Sequence, residues 1–231
     1  MKILIVFLFF ISTVVSQNKS LEIKIDSIQT QDLTTSERKY TLHFHIKNKT
    51  SETISFFLNH KSIIPNAVSS MSIKPIYKLY QNRVFIDVDG VFEKYIEEEP
   101  IDKKNLELQM SQYKIFKDSI VSIYTKNGGE TTNEDWVLRN HFISKSIVTL
   151  LPNEIKYYQV SIYWSRKRYF FNDPFEYYLN ENDTYEMELY LHLLKEELQD
   201  QLTKKEWENI KANPNFMKGI VTSNKISIDF K

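Results

Sequence analysis

Two histidines, His43 and His45, stand two positions apart inside a run of alternating polar and apolar residues. If that run is a strand, both imidazole rings project from the same face of the sheet. Imidazole nitrogens at this spacing bind Zn²⁺ when a third ligand arrives from elsewhere. The same face carries Thr41 and Lys47, however, and the sequence gives no reason to assign any other histidine as the third ligand. We therefore predict no metal site and interpret both histidines as part of a solvated face.

A second candidate is the segment of residues 84–92, VFIDVDGVF, in which an apolar run ends in two aspartates. It resembles the first motif of haloacid-dehalogenase-type phosphatases. The resemblance implies that Asp87 is the nucleophile, that Asp89 is the general acid, and that Mg²⁺ neutralises the phosphate between them. That family requires a parallel sheet of alternating strands and helices, whereas the segments after Ile147 alternate as half-buried strands. We favour the interpretation that Asp89 and Gly90 form the two-residue turn of a β-hairpin.

The densest cluster of recognition-type side chains lies at the end of an apolar strand and in the long aromatic loop of residues 165–182. Its members are Trp164, Arg166, Arg168, Tyr169 and Phe170. Guanidinium groups beside exposed rings stack on sugars or peptides and pair with anions. We predict that these residues bind an unknown protein or carbohydrate ligand. The alternative is that the rings cover an open end of the core or pack against a helix.

The composition excludes several other kinds of site. The chain has 231 residues with 30 basic and 30 acidic side chains, so it lacks the positive field that draws nucleic acid. It has no cysteine, which excludes disulfides, thiol chemistry and Cys-ligated zinc. Only four glycines occur, which disfavours phosphate-binding loops. No Ser, His and Asp combination stands in a recognisable context, and we predict no catalytic residue, metal or cofactor.

Residues 1–16, MKILIVFLFFISTVVS, have the pattern of a secretory signal peptide, with Lys2 before an unbroken apolar run. We predict cleavage after Ser16 and a mature domain of residues 17–231. The apolar run is too short to span a bilayer comfortably, so we expect no membrane span after cleavage and a periplasmic or secreted protein. The sequons at Asn18, Asn48 and Asn182 would matter only in a eukaryotic secretory route, and chance explains them.

Period-two alternation predicts strands over much of the chain. The pattern is clearest at residues 40–47 and 157–164, where Tyr158, Val160, Ile162 and Trp164 share one face. Residues 29–39 lack the alternation and are interpreted as a polar linker. The remaining predicted strands cover residues 21–26, 54–58, 73–80, 83–88, 91–96, 147–150, 185–192 and 219–230.

The pattern changes to helical spacing within residues 97–145, which we interpret as an insertion between two halves of one sheet structure. Two separate domains are the alternative. Apolar residues at spacings of three and four predict one face of a first helix, and they are Leu106, Met110, Tyr113, Phe116, Ile120 and Ile123. Thr131 and Glu134 form a capping-box spacing before a second short helix. Thr203 and Glu206 form another, which predicts a short C-terminal helix before the last strand.

The strand–turn–strand units TLHFHIKNKTSETISFFL (residues 41–58) and IVTLLPNEIKYYQVSIYW (residues 147–164) stand behind the signal segment. In this they resemble uncharacterised exported bacterial proteins with an immunoglobulin-like β-sandwich. The run Asp183-Thr184-Tyr185 is similar to the tyrosine corner of such folds. The resemblance covers about two thirds of the chain and implies a mainly β, antiparallel sandwich with a helical insertion. Because such sandwiches host many functions, we expect a non-enzymatic binding or interaction module, with the phosphatase as the alternative.

Overall fold

A computed structural model describes residues 20–35, 37–66, 72–86, 103–129, 133–165, 179 and 183–230. The predicted signal peptide, residues 1–16, lies outside these ranges. The described chain is mainly β, as the alternation predicts. Its strands are β1 (Leu21–Asp32), β2 (Glu37–Asn48), β3 (Ile54–Phe57), β4 (Ile64–Pro65), β5 (Ile76–Gln81), β6 (Val84–Ile86), β7 (Ile147–Leu150), β8 (Ile155–Ser165), β9 (Tyr185–Leu193) and β10 (Gly219–Ile228). Its helices are α1 (Lys103–Lys126), α2 (Glu134–Lys145) and α3 (Lys204–Ala212), with a 3₁₀ helix at Glu196–Gln201.

The strands form three sheets in the described part of the chain. The first sheet is antiparallel, in the order β1-β2-β8. The second sheet has the order β10-β9-β5, and the far side of β5 pairs with β4 in parallel and with β6 in antiparallel orientation. The third sheet is the antiparallel pair β3-β7. Side chains from all three sheets contribute to one apolar core.

Strands β2 and β8 confirm the predicted alternation. On β2 every second residue from Tyr40 to Ile46 is fully buried, at 0% exposure. On β8 the inward face carries Val160, Ile162 and Trp164, which are 2–5% exposed. The facing strand β9 buries its own alternate residues, namely Tyr185, Met187, Leu189, Leu191 and Leu193. Burial of one face on each strand explains why the register is continuous over the whole β2–β8 pair.

The two strand–turn–strand units pair with each other along their length. β2 leads into β3, β7 leads into β8, and β2 pairs with β8 while β3 pairs with β7. The result is a two-stranded ribbon that bends at Asn48 on one strand and at residues 151–154 on the other. Asn153, at the second bend, has φ 59°, which asparagine tolerates better than most residues. The turns therefore change the direction of the ribbon and do not close hairpins.

Asn48 fastens this bend from inside the protein. Its side chain is fully buried, and its Nδ2 donates to the carbonyl oxygens of Glu52 at 2.7 Å and Leu151 at 2.9 Å. Its Oδ1 accepts from the backbone N–H of Thr50 at 2.9 Å. The amide nitrogen and oxygen of this buried asparagine are both hydrogen-bonded, and these bonds replace the interstrand hydrogen bonds that the bend interrupts. The same burial removes Asn48 from any glycosylation of the folded protein.

The prediction of a polar linker at residues 29–39 is wrong. β1 continues to Asp32 and β2 begins at Glu37, so the connection between them is only four residues long. The ladder between the two strands extends to the pair Asp32 and Arg38. Residues 29–32 are exposed on both faces, and a strand of this kind needs no apolar alternation. The sequence pattern therefore missed it.

The two predicted helices, α1 and α2, are both present, but α2 has a different N-cap. Its first residue is Glu134, and the side chain of Asn133 accepts from the N–H of Trp136 at 3.0 Å. The predicted capping box therefore does not open this helix at Thr131, which lies outside the described residues. α1 packs on α2 only through its C-terminal half, where Ile120 contacts Val137 and Leu138. No helix of the described chain is long and apolar enough to cross a membrane.

α2 is anchored to the C-terminal helical segment by polar contacts. Trp136 Nε1 donates to the carbonyl of Asp200 at 2.7 Å, and Ser144 Oγ donates to Glu206 at 2.6 Å. Glu206 also closes the capping box of α3, because it accepts from the N–H of Thr203 at 2.8 Å while Thr203 caps the helix. The capping box predicted at these two positions is confirmed.

Candidate functional site

One end of the molecule is built on a cluster of aromatic rings around Phe230. Its ring lies 5.6 Å from that of Tyr40, 6.0 Å from that of Trp164 and 5.1 Å from that of Tyr185. The hydroxyl of Tyr40 donates to the carbonyl of Asp229 at 2.8 Å. The cluster thus joins the first sheet to the second. We call this region the Trp164 end.

A cavity of about 390 Å³ opens at the Trp164 end. It lies between the β1–β2 connection and the last residues of β8, since Trp164 is opposite Arg38 in the β2–β8 ladder. The volume falls in the lower part of the range of small-ligand sites, roughly 300–1,000 Å³. Its described lining consists of Asp32, Leu33, Thr34, Thr35, Glu37, Arg38 and Trp164.

Local bonds hold the polar wall of this cavity in place. Arg38 Nε contacts Asp32 Oδ1 at 2.6 Å, and the side chain of Arg38 is only 15% exposed. The hydrogen bond to Asp32 raises the pKa of Arg38 more than burial lowers it, so the guanidinium stays charged. The hydroxyl of Thr34 accepts from the N–H of Glu37 at 2.9 Å and closes the turn. The wall is therefore formed before any ligand arrives.

Of the predicted binding residues, the structure describes Trp164. It is 2% exposed, so it is not an open aromatic platform, although it belongs to the lining of the cavity. Arg166, Arg168, Tyr169 and Phe170 lie outside the described residues.

The segment that carries those four residues begins and ends at the Trp164 end. Ser165, the last residue of β8, is opposite Glu37 in the ladder. Asp183, just before β9, is bonded to the β5–β6 turn, where it accepts from Asn82 Nδ2 at 3.0 Å. A second cavity of about 290 Å³ lies beside it, and its described lining is Asp183, Thr184, Tyr185, Ser227, Ile228 and Asp229. Two cavities thus border the points where the segment leaves and rejoins the sheets.

The residues of the polar wall were missed by sequence reasoning because they were assigned to a linker. One signal could have found them. Asp32 and Arg38 are opposite charges at a spacing that a short β-turn brings across a ladder. Thr34 and Thr35 between them belong to the polar residue types that form tight connections.

The two histidines on β2 lie on the outer face of the first sheet. His45 Nδ1 is 2.8 Å from Asp26 Oδ1, and its ring centroid is 5.5 Å from that of Tyr157. His43 is opposite Gln159 in the ladder. In the described ranges, no group of three or more His, Cys, Asp or Glu side chains could hold a metal ion.

Asp87 and Asp89 lie outside the described residues, but the strand that leads to them does not. β6 pairs in antiparallel orientation with the end of β5, and no other strand of the described ranges pairs with it. The phosphatase resemblance implies a parallel sheet at this point. Parallel pairing in the described chain is confined to the two residue pairs between β4 and β5 and to a single bridge between Ser55 and Phe216.

A third surface, on the outer face of the second sheet, combines cations with rings. Lys225 Nζ lies 3.3 Å from the centroid of Tyr80, and Lys78 Nζ lies 4.5 Å from that of Tyr190. Burial, and then the hydrogen bond to Glu188 at 2.6 Å, raise the pKa of Tyr80. Lys225 and Lys78 are thus each placed against a tyrosine ring.

A scan against protein-family models finds no match, and searches of curated proteins and of solved structures find none either. The geometry of the chain is therefore the basis for a proposal about function.

Proposed function

We propose that the protein is an exported, non-enzymatic binding module with an immunoglobulin-like β-sandwich, and that it binds carbohydrate at the Trp164 end. The observation that carries the proposal is the cavity formed by the β1–β2 connection and Trp164. Connections at the ends of sheet structures are where rigid scaffolds most often carry recognition. The aromatic and cationic segment that contains Arg166, Arg168, Tyr169 and Phe170 would complete the site.

The lining supports a hydroxyl-rich ligand. Asp32 and Glu37 supply carboxylate acceptors, Thr34 and Thr35 supply hydroxyl groups, and Trp164 supplies an indole edge. A ligand with many hydroxyl groups can donate hydrogen bonds to the carboxylates. It can both donate hydrogen bonds to the threonine hydroxyls and accept them. The cavity volume suits one or two sugar rings better than the side chains of a folded protein surface, which need a wider interface.

Retention on polysaccharides tests this function. Native electrophoresis in gels that contain single neutral or acidic polysaccharides should slow the parent protein in at least one gel. The triple variant Arg166→Ala, Arg168→Ala, Tyr169→Ala should fold normally and lose most of that retardation. A parent protein that none of the polysaccharides retards would contradict the carbohydrate proposal, and so would an unfolded triple variant, because the segment would then be core cover.

Export is tested separately. N-terminal sequencing of the protein recovered from its native cell should begin near Gln17. An intact Met1 in a soluble cytoplasmic fraction would contradict the proposal.

The phosphatase alternative predicts a different result. If Asp87 were a nucleophile, the protein would hydrolyse p-nitrophenyl phosphate in the presence of Mg²⁺, and Asp87→Asn would abolish the activity. The binding proposal predicts no hydrolysis above the background of the variant.

A further inference from the structure

Strand β8 is an open sheet edge in the described part of the chain. It pairs with β2 on one side, in continuous register from Ile155 to Ser165, and no described strand pairs with its other side. An edge of this kind presents a row of backbone N–H and C=O groups that can pair with another strand.

In the described ranges, the other long edges each meet a neighbouring segment. The edge of β1 faces that of β10, and Asn224 bridges them, since the N–H of Ile25 donates to Asn224 Oδ1 at 2.8 Å and Asn224 Nδ2 donates to the carbonyl of Ile25 at 3.2 Å. Both strands carry register irregularities at this point. The outer edge of β3 is also covered, because the N–H of Ser55 donates to the carbonyl of Asn215 at 3.0 Å. β4 and β6 have only two and three residues.

β8 lacks the features that normally protect an open edge. Proteins block such edges with charges, prolines, bulges or very short strands. β8 has 11 residues, of which Lys156 is the only charged one, and it contains no proline. Its ladder with β2 has no register shift. Its outer face is aromatic, with Tyr157 74% exposed and Tyr163 39% exposed.

We propose that β8 pairs with β8 of a second copy of the chain, antiparallel about a two-fold axis through Val160. In this register Tyr157 is opposite Tyr163 of the second copy, and Gln159 is opposite Ser161 of the second copy. Both are favourable cross-strand pairs, one aromatic and one hydrogen-bonding. Lys156, the only charge, is opposite Trp164 of the second copy, so no like charges face each other. The strand is therefore complementary to itself, and pairing joins two first sheets into one of six strands.

The size of the contact sets its strength. Pairing along one strand edge buries less surface than the roughly 800 Å² per partner of a standard interface. We therefore expect a dimer that dissociates on dilution.

Sedimentation velocity of the mature protein over a wide concentration range tests the proposal. The parent should shift from monomer to dimer as concentration rises. Tyr157→Lys with Tyr163→Lys places like charges opposite each other at both ends of the contact, and this variant should remain monomeric. Tyr157→Glu with Tyr163→Glu should remain monomeric for the same reason. An equimolar mixture of the two variants should dimerise, because each lysine then faces a glutamate.

Thr41→Lys places the same charge on the outer face of the inner strand β2 and should dimerise like the parent, and circular dichroism should show every variant folded. A parent that stays monomeric at all concentrations overturns the proposal. So does a dimer that survives in the Tyr157→Lys, Tyr163→Lys variant, or a mixture that stays monomeric.

Discussion

Strand β2 and helix α1 were both predicted from periodic apolar residues, yet only one of them is packed. On β2 the whole periodic face is buried, with Phe44 at 0% exposure. On α1 the stripe divides, since Ile120 is 5% exposed whereas Met110 and Tyr113 are 64% and 58% exposed. Both elements exist where the sequence places them. The difference lies in what the rest of the described chain brings against each face.

Periodicity is a property of one segment, whereas burial depends on segments far away in the sequence. β2 has partners on both edges and the second sheet across the core. Among the described residues, α1 meets α2 through its C-terminal half, where Val137 and Leu138 pack on Ile120. We conclude that the stability of the protein resides in the sheets and that the N-terminal half of α1 contributes little to it.

Removal of the Trp164 side chain should have the largest effect. Trp164→Ala should lower the free energy of unfolding by about 3–5 kcal/mol, because the indole is 2% exposed and contacts Phe230. The neighbouring Tyr163→Ala is the control, since Tyr163 is 39% exposed on the opposite face and should cost much less. Urea denaturation measures both. Equal losses for the two variants would show that the inward face of β8 is not a core face.

Substitution of Asn48 at the ribbon bend should have the next largest effect on stability. Asn48→Ala removes the donor from the part-buried carbonyl groups of Glu52 and Leu151 and from the buried carbonyl of Leu150. A buried acceptor left without its donor costs about 1–3 kcal/mol. We expect a total loss of about 2–4 kcal/mol in the same denaturation experiment. Asn59→Ala, in an exposed turn where the side chain accepts from Lys61 N at 3.2 Å, should cost under about 1 kcal/mol. A neutral Asn48→Ala would mean that the bend does not depend on this amide.

The contact between α2 and α3 should respond to acid. Burial alone would raise the pKa of Glu206, but hydrogen bonds from Ser144, Thr203 and Asn140 outweigh it and lower the pKa below the usual glutamate value. A lowered folded-state pKa means that this carboxylate stabilises the fold above the ordinary glutamate pKa, and that the contribution is lost as pH falls through the folded-state value.

Stability measured from neutral to acid pH should therefore fall less steeply in Glu206→Gln than in the parent. Glu208→Gln is the control, because Glu208 is exposed and its carboxylate lies 4.0 Å from Lys204 Nζ, at the limit of an ion pair. Identical pH profiles for the parent and Glu206→Gln would show that the Glu206 carboxylate does not stabilise the fold through a lowered pKa.

The exposed stripe of α1 should give the smallest effect. Met110→Ala should change the free energy of unfolding by less than about 0.5 kcal/mol, because the side chain is 64% exposed. Ile120→Ala on the same helix should cost about 2 kcal/mol or more, because that side chain is buried against α2. A large loss for Met110→Ala would remove the contrast between the exposed and the packed side chains of the helix.

The sequence predicted the parts of the fold whose signal is local. Alternation placed β2 and β8, and the spacing of Thr203 and Glu206 placed the cap of α3. It could not predict that the two strand–turn–strand units pair with each other, because pairing is decided by distant contacts. The candidate site shows the same limit. Trp164 was found because it ends an alternating strand, whereas Arg38 was missed because residues 29–39 lack the apolar alternation.

Blocking the cavity is the most direct test of the claim that recognition occurs at the Trp164 end. Thr35 is exposed in the cavity lining, so Thr35→Trp fills the space without removing a core contact. Thr53 is equally exposed at the ribbon bend, away from that lining, so Thr53→Trp is the matched control. In a gel that contains the polysaccharide retarding the parent most, we predict that Thr35→Trp loses at least about tenfold in affinity, or roughly 1.4 kcal/mol, while Thr53→Trp binds like the parent. Equal retardation of the two variants would contradict the claim.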